Sequence, residues 1–285
     1  MERLTSLEAL EKRIEGCSKC FENKISGNDG KRHVLVCGGT GCLSNHSEAI
    51  IAKLNELIAA KNIGDKVEVN HVGCFGFCSQ GPFVKILPED TLYRMVKIED
   101  VEQIVEEDLI GGKVCENLLY VDPYTHEKVQ RQDDINFYKK QVRVALHGCS
   151  TINPYSLEES LGYDGFKALE KVLKTMTPQQ VIDEVVASGL RGRGGAGFPT
   201  GRKWQFAANV QSDQKYIVCN GDEGDPGAFM DRSILEGNPF EVIEGMMIAG
   251  YAFGASQGYF YVRAEYPVAV ERLNNAIGLM EKAGL

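Results

Sequence analysis

No run of about 18 uncharged apolar residues occurs in this sequence; the most apolar stretch, Val242 to Ser256, is broken by Glu244. A transmembrane helix is therefore not expected. The N-terminus, MERLTSLEALEKRIEG, alternates charge with Leu and lacks the continuous apolar core of a secretory signal. Basic charge is in short supply: 31 Lys and Arg stand against 40 Asp and Glu, a net of −9. A chain of that sign lacks the basic face that releases counterions from nucleic acid, so nucleic acid is not an expected partner. Internal repeats and low-complexity tracts are missing too. What remains, at 285 residues with 25% charged and 43% hydrophobic, is a folded chain of about two domains.

Cysteine, by contrast, is plentiful, with nine residues. Without a secretory signal they are expected in a reducing, cytoplasmic setting, where metal or redox chemistry is favoured over a disulfide framework. Residues 3–15 read as a helix with Leu4, Leu7, Leu10 and Ile14 on one face and a capping box from Thr5 to Glu8. The polar stretch Glu22 to Lys31 follows, making residues 1–30 a docking or loosely tethered arm. From there the periodicity alternates. His33 to Cys37 is a short apolar strand, and Ser47 to Ala60 is a helix with Ile51, Leu54 and Ile58 on one face. Lys66 to Val72 is a strand, and Phe83 to Leu87 with Leu92 to Lys97 form a hairpin around Pro88. Val101, Ile104 and Val105 mark a helix that ends at Gly111-Gly112. The order β-α-β-β-β-α, its first two strands parallel through a right-handed crossover, is that of a small thioredoxin-like domain over 31–112.

That order gives meaning to Cys37-x4-Cys42 and Cys74-x3-Cys78. Cys37 ends one parallel strand and Cys74 follows the other, so both loops leave the same edge and four thiolates can converge. Glycines at 38, 39, 41, 73 and 76 admit close backbone approach. Thiolates favour an iron–sulfur cluster or zinc. The x4 and x3 spacings differ from the C-x2-C knuckles of zinc ribbons and from the C-x-x-C of a redox dithiol, which favours [2Fe–2S] over zinc. Over about residues 30–112 the pattern resembles the thioredoxin-like [2Fe–2S] ferredoxins. Cys17-x2-Cys20 is read as two ordinary thiols, with half of a shared site or a redox pair as alternatives. Cys115, Cys149 and Cys219 read as small apolar fillers, and the five histidines as structural or surface residues.

Residues 113–140 are polar, without sustained periodicity, and are expected to be a linker. A second domain, 141–285, is expected to begin with a strand from Gln141 to His147. Thr177-Pro178 with Gln180 opens a helix whose stripe is Val181, Ile182, Val185 and Val186, stopped by Gly189. Tyr216 to Cys219 and Gly258 to Arg263 read as strands, and Val268 to Lys282 as the last helix. Between them lies GLRGRGGAGFPTGRKW, residues 189–204. Its formal G-x-G-x-x-G follows a helix rather than a strand, and Lys203 is not adjacent to Gly201, so neither the Rossmann nor the Walker reading holds. What stands is an anion site of glycine amides with Arg191, Arg193, Arg202 and Lys203, suited to a phosphate-bearing cofactor. The acidic loop NGDEGDPGAFMDR, residues 220–232, lacks calcium-loop spacing and suits a hydroxyl-rich group such as a ribityl chain or a ribose.

These two segments, with YFYVRAEYP, resemble the FMN- and NADH-binding motifs of the NADH-binding flavoprotein subunit family of respiratory complex I and of NAD(P)-linked hydrogenases and formate dehydrogenases. The fusion to a thioredoxin-like cluster domain resembles the diaphorase subunit of soluble, often electron-bifurcating [FeFe]-hydrogenases. The resemblance implies that Gly192, Arg193, Gly194, Gly195, Lys203, Asn220, Asp222, Glu223, Tyr261 and Glu265 line the FMN. It also implies that Phe198, Phe206 and Asp225, with Glu223, face NAD(H), and that Cys37, Cys42, Cys74 and Cys78 bind the cluster. Asp225 stands where many complex I members carry Glu, which bears on NADH against NADPH. The family's further [4Fe–4S] site and ubiquitin-like domain lie outside these 285 residues, so a [4Fe–4S] cluster is expected only in a region beyond them. The fold class expected is α/β: a thioredoxin-like [2Fe–2S] domain followed by an incomplete α/β FMN/NADH-binding domain. The implied function is an NAD(P)H dehydrogenase subunit passing electrons through FMN to iron–sulfur partner subunits. A non-catalytic [2Fe–2S] carrier or assembly subunit is the alternative, with a zinc scaffold third.

Overall fold

The computed structural model describes residues 3–225 and 227–285, which fold as two compact units. One comprises residues 17–163 with 236–238; the other comprises the residues up to 16, 164–235 and 239–285. No helix among the described residues is long and apolar enough to cross a membrane.

The first unit is built on a four-stranded sheet of order β2-β1-β3-β4, from β1 (Arg32–Cys37), β2 (Val67–Val72), β3 (Val84–Leu87) and β4 (Thr91–Tyr93). β1 pairs parallel with β2 and antiparallel with β3, so the expected β-α-β-β-β topology is present. Burial on both faces of β1 follows from its unbroken apolar run. Val34 and Val36 enter one core with Ile50 and Leu54 of the crossover helix, Ser47–Ala60, while Leu35 and Cys37 enter the other with Phe75, Phe83 and Leu92. Each such side chain contributes about 1.5–3 kcal/mol. The closing helix starts as α-helix at Val101–Gln103 and widens to i→i+5 bonding over Ile104–Ile110. Its Asp108 is 2% exposed and receives Arg32 Nη2 at 2.5 Å and the Tyr93 hydroxyl. Burial and that carboxylate hold the Tyr93 phenol well above its usual range.

Two expectations for this unit are corrected. The N-terminal arm is a 20-residue helix, α1 (Leu7–Ser26), shared between the two units and capped by Ser6, whose Oγ accepts the Ala9 amide at 3.2 Å. In the first unit its buried Phe21 meets Tyr163 edge-on, and its Lys24 pairs with Glu159 at 2.7 Å. The helix looked short because Lys24 hides its place on the apolar stripe: its stem is buried and only its charge needs a partner. Residues 113–140 are not a free linker. Leu119 and Arg131 bridge to the outer edge of β4, and Leu118, Leu119, Ile135 and Tyr138 are buried. Strands of two residues, β5 (Tyr120–Val121) and β6 (Lys128–Val129), are too short to show a period. The polar Asp122 between them caps the turn by accepting the Tyr124 and Thr125 amides at 2.9 and 3.1 Å.

The second unit holds a two-stranded parallel sheet of β7 (Tyr216–Gly221) and β8 (Gln257–Val262), with helices around it. No strand forms at 141–147 in the chain leading to it; Val142 is 92% exposed and finds no partner strand to answer its alternation. The helix at Pro178–Ala187 has the expected Thr177–Gln180 capping box, though only Val181 and Ile182 of its stripe are buried. The most apolar helix, Pro239–Phe253, carries Glu244 for a reason. Its buried carboxylate accepts the Phe166 and Leu169 amides at 2.8 and 2.9 Å, capping the helix Lys167–Thr175 whose own N-cap has no polar side chain. Burial pushes that carboxyl above the usual carboxylate range.

Removing one partner of a buried ion pair leaves the other charge unanswered. Asp108→Ala is therefore expected to destabilise the full chain by about 3–5 kcal/mol in denaturant unfolding, and Tyr93→Phe by about 1–2 kcal/mol. A loss below about 1 kcal/mol for Asp108→Ala contradicts this role.

Candidate functional site

The thiol site grows from the parallel register. Cys37 pairs with Val72, so the loop after β1 and the loop after β2 leave one edge, and the Gly38 amide donates to the Val72 carbonyl at 2.8 Å. Cys42 rides the one-turn helix Thr40–Leu43, and Cys78 begins the 3-10 turn Cys78–Gln80. Cys37, Cys42 and Cys74 are buried and Cys78 is exposed, and none of the four is in a disulfide. The Sγ atoms of Cys74 and Cys78 lie 3.7 Å apart. Cys37 shares hydrogen bonds with Cys42 and Cys74, which link the four into a chain. Hydrogen bonding to Cys42, with burial, pushes the Cys37 thiol up to about 12; bonding to Cys37, with burial, pushes Cys74 to about 11.

Four thiols delivered to one sheet edge suit a two-iron cluster, whose two irons each take one ligand pair. The surroundings fit the cluster too. A Cβ on Gly81 would lie 2.6 Å from the Cys42 Sγ, and one on Gly39 would lie 3.1 Å from the Cys74 Cβ. The Gly76 amide donates to the Cys74 Sγ at 3.2 Å. Two residues distant in sequence brace the loops. Glu236, 1% exposed, accepts the Thr40 amide at 3.0 Å and the Thr40 hydroxyl, and Gly237 lies against Gly73 and Cys149, where a Cβ on Gly237 would meet the Cys149 Sγ at 2.6 Å. Cys115 is a filler as expected, while Cys149 forms part of this bracing. Cys17 and Cys20 sit on α1.

The flavin-side residues fall into two groups within the second unit. The glycine loop is closed by an Arg191–Pro199 bridge, with the Gly192 amide on the Phe198 carbonyl at 2.9 Å. It feeds the helix Thr200–Asn209, which carries Lys203. Side chains added at Gly194, Gly195 and Gly197 would meet nothing within 4 Å, so this part of the loop is open, and Gly195 and Gly197 have positive φ. Gly201 is different: a Cβ there would strike Val186 at 2.5 Å, which explains the tight seat of this helix on its predecessor. Phe198 and Phe206 are about half exposed, their rings 6.4 Å apart.

The second group stands at the carboxyl edge of the parallel pair, where α/β sheets receive ligands. Asn220 and Tyr261 are register partners, followed on one strand by Asp222 and on the other by Glu265. Asn220 Oδ1 accepts the Asp222 amide at 3.0 Å. Tyr261 is 63% exposed, and the Glu265 carboxyl is lowered first by a bond to its own backbone amide and then by Arg263, which it pairs with at 3.2 Å. Asp222 and Asp225 are on the acidic loop, Asp225 exposed to solvent. Glu223 is spent within the protein. Its carboxylate accepts the Met230 and Arg232 amides at 2.6 and 3.2 Å and the Tyr266 hydroxyl at 3.2 Å, while Arg263 donates to its carbonyl. It pins the acidic loop to the N-terminus of the helix Met230–Gly237. Sequence reasoning passed over Arg263 and Tyr138; an aromatic pair, Phe137-Tyr138, inside a polar stretch was the available signal for the latter.

Because Gly81 makes contact through the Cα hydrogen alone, Gly81→Ala is expected to lower iron per chain at least about threefold with far-UV circular dichroism unchanged, the displaced Cys42 being the cause. Undiminished iron would contradict this packing.

Residues 12–108 match the family model for the thioredoxin-like [2Fe-2S] ferredoxin, and residues 185–284 match that for the Nuo51 FMN-binding domain. The first match begins inside α1, in keeping with a helix that is part of the fold. The chain is 55% identical over 147 residues to a subunit of the NADP-reducing hydrogenase of Solidesulfovibrio fructosivorans, covering 52% of this chain and 30% of that protein. It is 48% identical over 130 residues to a subunit of the NADH-quinone oxidoreductase of Aquifex aeolicus, covering 46% of this chain and 30% of that protein. The chain thus spans about 30% of the length of these curated relatives. Among solved structures, a thioredoxin-like [2Fe-2S] ferredoxin from Aquifex aeolicus aligns with 31% of this chain and 94% of its own, at 31% identity and a TM-score of 0.29. Residues 12–108 are thus similar to a thioredoxin-like [2Fe–2S] ferredoxin and residues 185–284 to a Nuo51 FMN-binding domain.

Proposed function

We propose that this chain is an electron-exchanging flavoprotein subunit that oxidises NAD(P)H, or reduces NAD(P)+, and serves iron–sulfur partner subunits of a hydrogenase-type complex in the reducing cytoplasm. The observation that carries the reading is the pairing of Asn220 with Tyr261 at the carboxyl edge of β7 and β8, with an acidic loop on one side and a glycine loop in the same unit. FMN, when bound, supplies the conversion between a two-electron hydride and single electrons.

The chain's own share is placement. Amides of Gly194 and Gly195 with the cations of Arg193 and Lys203 hold the phosphate, while Gly192, its own amide on the Phe198 carbonyl, keeps the loop closed around them. Asn220 and Asp222 offer acceptors to a polyol chain, Tyr261 offers a ring face, and Glu265 closes that side. Glu223 contributes by bracing the loop that carries Asp222. Phe198 and Phe206 supply exposed aromatic faces for the nicotinamide nucleotide, and Asp225 accepts a ribose hydroxyl while repelling a 2′-phosphate, which favours NADH. No side chain need act as acid or base. Cys37, Cys42, Cys74 and Cys78 hold the [2Fe–2S] cluster as a one-electron relay.

Anaerobic visible spectra of the purified chain test this reading. NADH is expected to bleach both flavin and cluster absorption, with NADPH less effective, and Lys203→Ala to weaken FMN affinity about tenfold or more through the lost charge-assisted bond. Cluster absorption without flavin, indifferent to either nucleotide, would leave a non-catalytic electron carrier instead.

A further inference from the structure

The hydroxyl of Tyr138 is buried and has no hydrogen-bond partner among the described residues. Tyr138 lies on the short helix Asn136–Lys139 and is 6% exposed. A buried hydroxyl without a partner is rare in folded proteins, and each such group calls for an explanation. Its neighbours supply one. Tyr138 shares a core with Cys37 and Cys42. It stands edge-on, at 6.2 Å and 84°, to Phe77, which lies between Cys74 and Cys78 in sequence and stacks on Phe137 at 4.1 Å and 15°. Arg143 covers the phenol ring at 5.2 Å. Burial pushes the phenol well above its usual range; Arg143 opposes this, and the charges of Cys74, Cys37 and Cys78 add to it. The O–H thus sits in the core that holds Cys37 and Cys42, beside the Phe77 ring of the Cys74–Cys78 loop, with no acceptor among the described residues.

We propose that the Tyr138 hydroxyl donates a hydrogen bond to sulfur of the [2Fe–2S] cluster held by Cys37, Cys42, Cys74 and Cys78, and thereby raises its reduction potential. This rests on the reading of those four thiols as the cluster's ligands. A phenol donor stabilises the more negative, reduced cluster more than the oxidised one, and hydrogen bonds to sulfur are a recognised control of cluster potential. The stacked pair Phe77–Phe137 limits rotation of the ring and so fixes where the donor points. Tyr138 is thus a positioning and tuning residue, with no electron or proton passing through it.

The test is a redox titration of the full holo chain and of Tyr138→Phe, followed by electron paramagnetic resonance of the reduced cluster. The variant is expected to keep its cluster and to show a lower potential. The change in the one-electron equilibrium is about tenfold, which is ~59 mV. An exchangeable-proton coupling to the reduced cluster is expected in the native chain and absent from the variant. Should the variant fail to hold a cluster, 3-fluorotyrosine at position 138 reads the same bond on an unaltered fold. It is the stronger donor and is expected to raise the potential. A potential unmoved or raised in Tyr138→Phe, or unmoved by the fluorinated residue, overturns the proposal. A native chain without iron and sulfide would overturn the ligand reading itself, so the two failures are distinct.

Discussion

Two strands that run the same way must end at the same edge, and both candidate sites of this chain are built on that constraint. In the first unit, β1 and β2 are parallel with Cys37 opposite Val72, so loops distant in sequence deliver Cys37, Cys42, Cys74 and Cys78 to one place. In the second, β7 and β8 are parallel with Asn220 opposite Tyr261, and the acidic loop and the turn carrying Glu265 leave together. An antiparallel pairing at either place would send the second loop to the far side of the sheet. The crossover helix Ser47–Ala60 and the helix Pro239–Phe253 are the physical cost of parallel pairing, and each also buries one face of its sheet.

The second theme is the use of acid inside an acidic protein. Of the 40 Asp and Glu, several serve as internal braces rather than as surface charge. Asp108 anchors Arg32 and Tyr93, Glu244 caps a helix in place of a side-chain N-cap, Glu223 pins the acidic loop, and Glu236 grips Thr40 beside Cys42. Each accepts two or more donors, which is what permits a carboxylate to be buried. Two of the four act directly on loops that bear candidate site residues, so the braces hold those loops in place.

The topology of the first unit was legible because its strands are long enough to show a period and its helix Ser47–Ala60 has an uninterrupted stripe. The four cysteines were legible because edge geometry follows from strand direction. The segment 113–140 was not, since its strands are two residues long and its polar residues, Asp122 and Gln132 among them, are buried rather than exposed, Asp122 by local bonding and Gln132 by accepting from the distant Lys85. The continuation of α1 was hidden by Lys24, a buried charge that only a distant Glu159 could answer. On the flavin side the sequence motifs singled out Glu223 by type, yet chemical type alone does not say whether a carboxylate faces a ligand or a helix end. That is decided by the fold of the loop around Met230 and Arg232.

An electron path within this chain requires that it hold both a two-iron cluster and a flavin mononucleotide. Iron, acid-labile sulfide and FMN measured together in one anaerobically purified sample of the chain show whether it does. About two irons, about two sulfides and about one FMN per chain are expected, the composition of one [2Fe–2S] cluster and one flavin. Zinc in place of iron, or iron without labile sulfide, would contradict it.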